Sequence, residues 1–327
     1  MLRRQFSARS SSQGVGGFTL SEVLVALLVA SLVIFGVGTG FVFVTRAWAD
    51  HQARTQVQQS LRSTIAALNR DVRVAGACMP VNSLNQSLAP NFVPLAGTNG
   101  TNDTITVSAN PGCGNANVVT NNCNACTSIT VADSTGFTAG QWAFISNAGA
   151  GEFFLTSTVV AGAPGTINVD TIKGPSLVGG YPKNTSQVTG ADQRKFAVST
   201  TCAGCNTSPT LTVQLLGGSQ LPLVKGIDGF KVQYVLNRLW NDPSFPNGAA
   251  CNAQTGGTPN LCVVNLPGLA PSLASDWNLV RAIIATVDAR STITVRASGS
   301  SDGFLHEPAT FEISPRNLTF PQNPGRL

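Results

Sequence analysis

The sequence predicts an α+β protein: a long N-terminal helix packed on a mostly antiparallel β domain that carries a small inserted β module. Three observations lead there. Val23 to Val44 is a run of 22 residues without a formal charge, enough to cross a hydrocarbon core about 30 Å thick as a helix. From Val57 to Ala75 apolar residues recur at three- and four-residue spacing, the period of an amphipathic helix. Beyond Cys78 the apolar period falls to two, in short segments bounded by Gly, Asn and Pro, as half-buried strands require.

Ahead of the apolar run, residues 1–17 hold Arg3, Arg4 and Arg9 and no acid. That cation bias marks a segment left on the cytoplasmic side, so everything beyond the span faces outward. Glu22 is the one ionisable residue between Arg9 and Arg46. A carboxylate at a membrane span is costly and points to a role; the plainer alternative is a snorkelling or protonated side chain on a simple anchor. Within the span, Gly36-x-x-x-Gly40 fits the small-residue spacing that lets helices approach closely. The same glycines loosen a helix, each by about 1 kcal/mol relative to alanine.

The helix continues past the span, through 45–77, as an amphipathic half. Val57, Leu61, Ile65, Leu68, Val72 and Ala75 form its apolar stripe, and Gln58, Gln59, Arg62, Asn69, Arg70 and Arg73 fall on other faces. Gly76 suits a left-handed cap and Pro80 cannot continue a helix, so one helix is expected from Phe18 to about Gly76.

From residue 78 to 327 the chain reads as a disulfide-stapled β domain. Candidate strands are 104–108, 128–131, 142–146, 152–159, 166–169, 194–199, 210–216, 229–236, 279–290 and 310–314. Residues 128–173 read as the inserted module, and 85–103 and 241–260 as exposed loops.

Cys78, Cys113, Cys123, Cys126, Cys202, Cys205, Cys251 and Cys262 all lie in this outward-facing part, where disulfides persist. They are read as four bridges. Local pairing would join Cys123 to Cys126, Cys202 to Cys205 and Cys251 to Cys262, leaving Cys78 with Cys113. The two C-x-x-C elements also raise a zinc site and a redox pair. Against zinc, 75 residues separate the pairs, where a ribbon uses roughly 15–20; against redox chemistry, both sit in loop-like sequence.

Little in the sequence speaks for catalysis or a cofactor. His51 and His306 are the only histidines, so a Ser-His-Asp triad would have to use His306, and no G-x-S-x-G elbow accompanies it. His306-Glu307-Pro308 reads as a turn. Gly97-Thr-Asn-Gly100 and Gly112-Cys-Gly114 lack the lysine and helix of a P-loop. Asp103, Asp133, Asp170 and Asp192 lack EF-hand spacing, so no metal is expected. The net charge of +5 falls to about +2 once the three arginines ahead of the span are set aside, which is no nucleic-acid footprint. A DNA-binding patch would need Lys173, Lys183, Arg194, Lys195 and Lys225 to converge.

An ordinary secretory signal places its cleavage site behind the apolar stretch, whereas here Gly16-Gly17-Phe18-Thr19-Leu20-Ser21-Glu22 stands in front of it. This stretch resembles the processing site of type IV prepilins and the related pseudopilins, from which Ser21 is a mild departure. The resemblance implies that a prepilin peptidase cuts between Gly17 and Phe18. Phe18 then becomes the N-methylated first residue, and Glu22 pairs with the α-amino group of a neighbouring Phe18. Asn69-Arg-Asp-Val-Arg-Val-Ala-Gly76, Thr130-Val-Ala-Asp-Ser-Thr-Gly-Phe137, Asp228-Gly-Phe-Lys-Val-Gln-Tyr-Val235 and the strand that follows resemble, more loosely, the large minor pilins of the PilW type. That implies a non-enzymatic, low-copy subunit of the type IV pilus, or fimbrium, that helps initiate assembly and sits at or near the tip. Its partners would be other minor pilins, the major pilin and an inner-membrane assembly platform. The chain would cross the inner membrane once, its C-terminal domain periplasmic, before passing to the pilus surface. A J-type pseudopilin of a type II secretion system and a tip adhesin or DNA-uptake subunit are the alternatives.

Overall fold

The computed structural model describes residues 17–78, 94–110, 112–119, 125–147, 150–205, 207–239, 252–253, 261–265, 280–295 and 301–315. Two compact units divide the chain at Gln52 and Ala53. A single helix, α1 (Leu20–Arg73), runs through both. In the first unit its side chains from Leu20 to Arg46 are all exposed, and it is the one described helix long and apolar enough to cross a membrane.

In the second unit the strands follow in order: β1 (Leu95–Thr98), β2 (Thr104–Ala109), β3 (Asn115–Asn117), β4 (Ser128–Val131), β5 (Trp142–Ser146), β6 (Gly151–Val160), β7 (Gly165–Val169), β8 (Gln187–Gly190), β9 (Asp192–Ser199), β10 (Thr210–Leu215), β11 (Gln220–Lys225), β12 (Ile227–Leu239), β13 (Asn252–Ala253), β14 (Leu261–Asn265), β15 (Val280–Arg290) and β16 (His306–Ile313). They form three antiparallel sheets, ordered β1-β2-β9-β10-β11, β13-β14-β12-β15-β16 and β3-β8-β5-β6-β7-β4. The third closes on itself. Past the end of β3, Val118 bridges to Val131 of β4, and Val119 N and Ala132 N donate to Thr130 O and Asn117 O. Ile129, Val131, Ala143, Ile145, Phe154, Ile167 and Val188 fill its interior, one residue in two along each strand, as the pleat dictates. The inserted module is therefore a six-stranded barrel from Asn115 to Gly190, taking in a strand on either side of 128–173.

One core joins the helix to the other two sheets. Val57, Leu61, Leu68, Val72 and Ala75 pack with Leu95, Ile105, Phe196 and Leu211 of the first sheet and Phe230, Tyr234, Ile283 and Val287 of the second. Each fully buried large apolar side chain stabilises by roughly 1.5–3 kcal/mol, so this stripe holds the amphipathic half of α1 in place. Ile65 is only partly buried, while Ala53, Thr64 and Asp71 join the stripe. The helix starts two residues later than expected and stops at Arg73. Residues 74–78 then turn, with Gly76 at φ 71° and its N–H donated to Ser108 O at 2.9 Å.

Three expectations need correction. Residues 85–103 are not all loop: β1 pairs with β2, Leu95 facing Val107, because Leu95 is buried in the core. Within 241–260, Asn252 and Ala253 pair with β14, the rest lying outside the described residues. His306-Glu307-Pro308 is no turn but the start of β16, where it pairs with Arg290, Ala289 and Asp288; Pro308 is tolerated because β16 is an edge strand. The strands β3, β8, β11 and β14 are also additional to those expected.

Candidate processing and docking site

Gly17, Phe18 and Thr19 precede the helix and are exposed, Phe18 to 86%. Among the described residues nothing requires glycine at 17. A Cβ placed there meets no atom within 4 Å, and its φ lies outside the left-handed region.

Thr19 and Glu22 form a reciprocal cap. Thr19 N donates to Glu22 Oε2 at 2.9 Å, Thr19 Oγ1 donates to the same oxygen at 3.0 Å, and Glu22 N reaches Thr19 Oγ1 at 3.4 Å. This is a capping box, in which orphan amides at a helix start are satisfied from both sides, and a carboxylate there is further favoured by the helix dipole. It was not among the sequence expectations, although the Thr-x-x-Glu signal for it is present. Oε1 accepts no hydrogen bond among the described residues, so the cap aims the carboxylate while leaving one oxygen open to an external donor.

The structure joins Cys78 to Cys113, with Cα atoms 4.9 Å apart, and Cys202 to Cys205, 5.2 Å apart. Cys126 is disulfide-bonded as well. Cys123, Cys251 and the side chain of Cys262 lie outside the described residues. Sulfurs committed to disulfides are closed to zinc, and among the described residues no group of three His, Cys, Asp or Glu is placed to hold a metal.

The four scattered aspartates have separate structural partners. Buried Asp103 accepts from Gly100 N and Val232 N, Asp133 from Thr135 N, Asp170 from Ile172 N and Lys173 N, and Asp192 from Arg194. Arg194 and Lys195 are neighbours on β9. Arg194 turns to Asp71 and Asp192, Lys195 takes the opposite face of the strand, and Lys225 pairs with Thr210, which faces Ser199 four residues further along β9. Lys173 and Lys183 belong to the barrel segment.

Asp71 was invisible in the helix pattern because its partner stands far away in sequence. Its carboxylate, 6% exposed, receives Arg194 Nη1 at 3.1 Å and Arg70 Nε at 2.9 Å. Removing one member of a buried ion pair costs about 3–5 kcal/mol, but Arg194 keeps Asp192 and is 34% exposed. Asp71→Ala should therefore lower stability by about 2 kcal/mol, seen as a reduced urea midpoint in the detergent-solubilised chain.

His306 Nε2 donates to the Asp302 carboxylate at 2.9 Å, and Nδ1 lies 3.6 Å from Asp288; its cross-strand partner Arg290 is turned over the Phe304 ring. Burial disfavours the charged ring, but the Asp302 hydrogen bond and the charges of Asp288 and Asp302 outweigh it and raise the pKa above the usual histidine value. A raised folded pKa stabilises fully below the unfolded value and is lost as pH rises through the folded one. The β15–β16 pair should accordingly be better protected from amide exchange at pH 5 than at pH 8, and Asp302→Asn should shrink that difference.

No protein-family model matches the chain, and no solved structure matches it. The chain is similar to the pilin-like protein PilA3 of Thermus thermophilus, 35% identical over 94 residues. The match covers 28% of this chain and 40% of that protein, so the chain spans about two-fifths of the relative's length. Taken with one apolar N-terminal helix and an antiparallel β domain, that similarity supports a type IV pilin-like protein.

Proposed function

We propose that the chain is a minor pilin of the PilW type. It is cut by a prepilin peptidase between Gly17 and Phe18, N-methylated on Phe18, and joined to other minor pilins and the major pilin to initiate pilus assembly at or near the tip. In this reading residues 1–17 stay cytoplasmic, α1 anchors the chain in the inner membrane with the β domain periplasmic, and the assembly platform transfers it to the pilus. Its work is contact, not catalysis.

The observation that carries the reading is the pairing of two features across five residues. One is a glycine that the fold does not need; the other is a capped carboxylate with an open oxygen at the head of an exposed apolar helix. An apolar helix exposed over its whole first half requires lipid or other apolar helices around it, and in a helix bundle that open oxygen can accept a neighbour's α-ammonium. Mass spectrometry of the chain isolated from its host tests this. The mature polypeptide should begin at N-methylated Phe18, and a chain that begins at Met1 or elsewhere overturns the reading. Deletion of the gene should abolish pili; loss of a secreted protein with pili intact would assign the chain to a secretion system.

A further inference from the structure

The face of α1 turned away from the core carries Thr55, Gln59, Arg62, Ala66, Arg70 and Arg73, all exposed and spaced by threes and fours along five turns. Its charges have one sign. Between Ala53 and Arg73 the only acid is Asp71, which is buried on the core side and held by Arg194. Arg62 and Arg73 make no hydrogen bond or ion pair among the described residues, nor does Arg54 on the flank. Favourable interaction with the helix dipole accounts for cations in the last turn, which covers Arg70 and Arg73 but not Arg62. A helix face meant only for solvent normally interleaves both signs.

The face ends at an open cavity of about 320 Å³ between α1, β2 and β9, lined by Val74, Val107 and Ala109 and by Arg70 and Arg194 with their ion-pair partners Asp71 and Asp192. Val74, 42% exposed, with Val107 and Ala109 gives it an apolar wall.

We propose that this face docks an acidic helix of a different subunit, one that sets carboxylates against Arg62 and Arg73 and seats an apolar side chain in the cavity. A second copy of this chain does not fit. Apart from Asp71, α1 offers only Asp50 and Glu22 as acids, and in the pilin reading Glu22's open oxygen is committed to a neighbour's α-ammonium, so helix-to-helix contact between copies sets arginine against arginine. Like charges in contact exclude wrong partners. The proposal rests on the pilin reading, because only a helix bundle covers this face, and it adds that the neighbour there is a heterologous one.

The test is site-specific photo-cross-linking in the host, with Ala66→p-benzoylphenylalanine in the full chain. The expected adduct joins residue 66 to another subunit, at a peptide with Asp or Glu at helical spacing. It should fall at least tenfold in Arg62→Glu/Arg73→Glu and return when the mapped partner carboxylates are replaced by arginine. An adduct with a second copy, with nucleic acid or with lipid overturns the proposal, as does an adduct indifferent to the charge reversal, or none. The reversed variant must retain the Cys78–Cys113 and Cys202–Cys205 bridges and its helical circular dichroism. If it does not, Arg62→Gln/Arg73→Gln replaces it, with the same tenfold loss expected. A chain still cut at Phe18 that cross-links to itself refutes the docking proposal alone, whereas an uncut chain refutes the reading beneath it.

Discussion

Gly17→Leu should leave the precursor uncut while its fold is unchanged. The two halves of that result have separate causes. A side chain at 17 meets open space, so helix content and both described disulfides should match the unmodified chain. A peptidase that must bring the Gly17–Phe18 bond to its reacting groups is less tolerant. A misplacement of about 1 Å at a reacting bond costs roughly a hundredfold in rate, and a leucine side chain beside the scissile carbonyl forces more than that. The intact-mass spectrum of the membrane fraction should show residues 1–17 retained. Cleavage at the normal rate would remove Gly17 from the proposed recognition.

Glu22→Gln should be cut normally yet fail to support pili, and it separates two roles that Glu22→Ala confounds. Glutamine still completes a capping box, so Glu22→Gln keeps the helix start and loses only the charge. A cap contributes about 1 kcal/mol, whereas stranding one member of a buried ion pair costs about 3–5 kcal/mol. Since each 1.4 kcal/mol is about tenfold in an equilibrium, losing the charge should lower incorporation by two orders of magnitude or more, against less than one for the cap. Pilus counts by electron microscopy decide between them. Wild-type numbers in Glu22→Gln with a deficit in Glu22→Ala would reduce Glu22 to a capping residue.

What could be read from the residues alone follows from how local each signal is. The amphipathic half of α1 was legible because Val57, Leu61, Leu68 and Val72 recur with the helix period, and β5, β6 and β15 because their own side chains alternate or run apolar. The short strands were not. Asn115-Ala-Asn117 has no strand signal of its own and is held by pairing with Gln187–Thr189, and β11 is masked by Pro222. Closure of the barrel depends on Val118 meeting Val131, and burial of Asp71 depends on Arg194, 123 residues away; neither partner is visible in a sequence window. At the helix start the Thr-x-x-Glu signal is local and legible, and the one carboxylate there has an intramolecular capping partner in Thr19.

The barrel enters and leaves its host through adjacent strands. Asn115 faces Thr189, Gly190 N donates to Gly114 O, and one step below, Ala109 faces Asp192 within the first sheet. A tight turn joining Gly114 to Gly190 would close that stem as a hairpin, with the Cys78–Cys113 bridge and the helix-bearing core below it intact. The barrel is thus an insertion that joins its host through two adjacent strands, interchangeable in principle with any fold whose termini lie side by side. Such a junction lets the barrel's sequence diversify while the core that holds the amphipathic half of α1 stays the same.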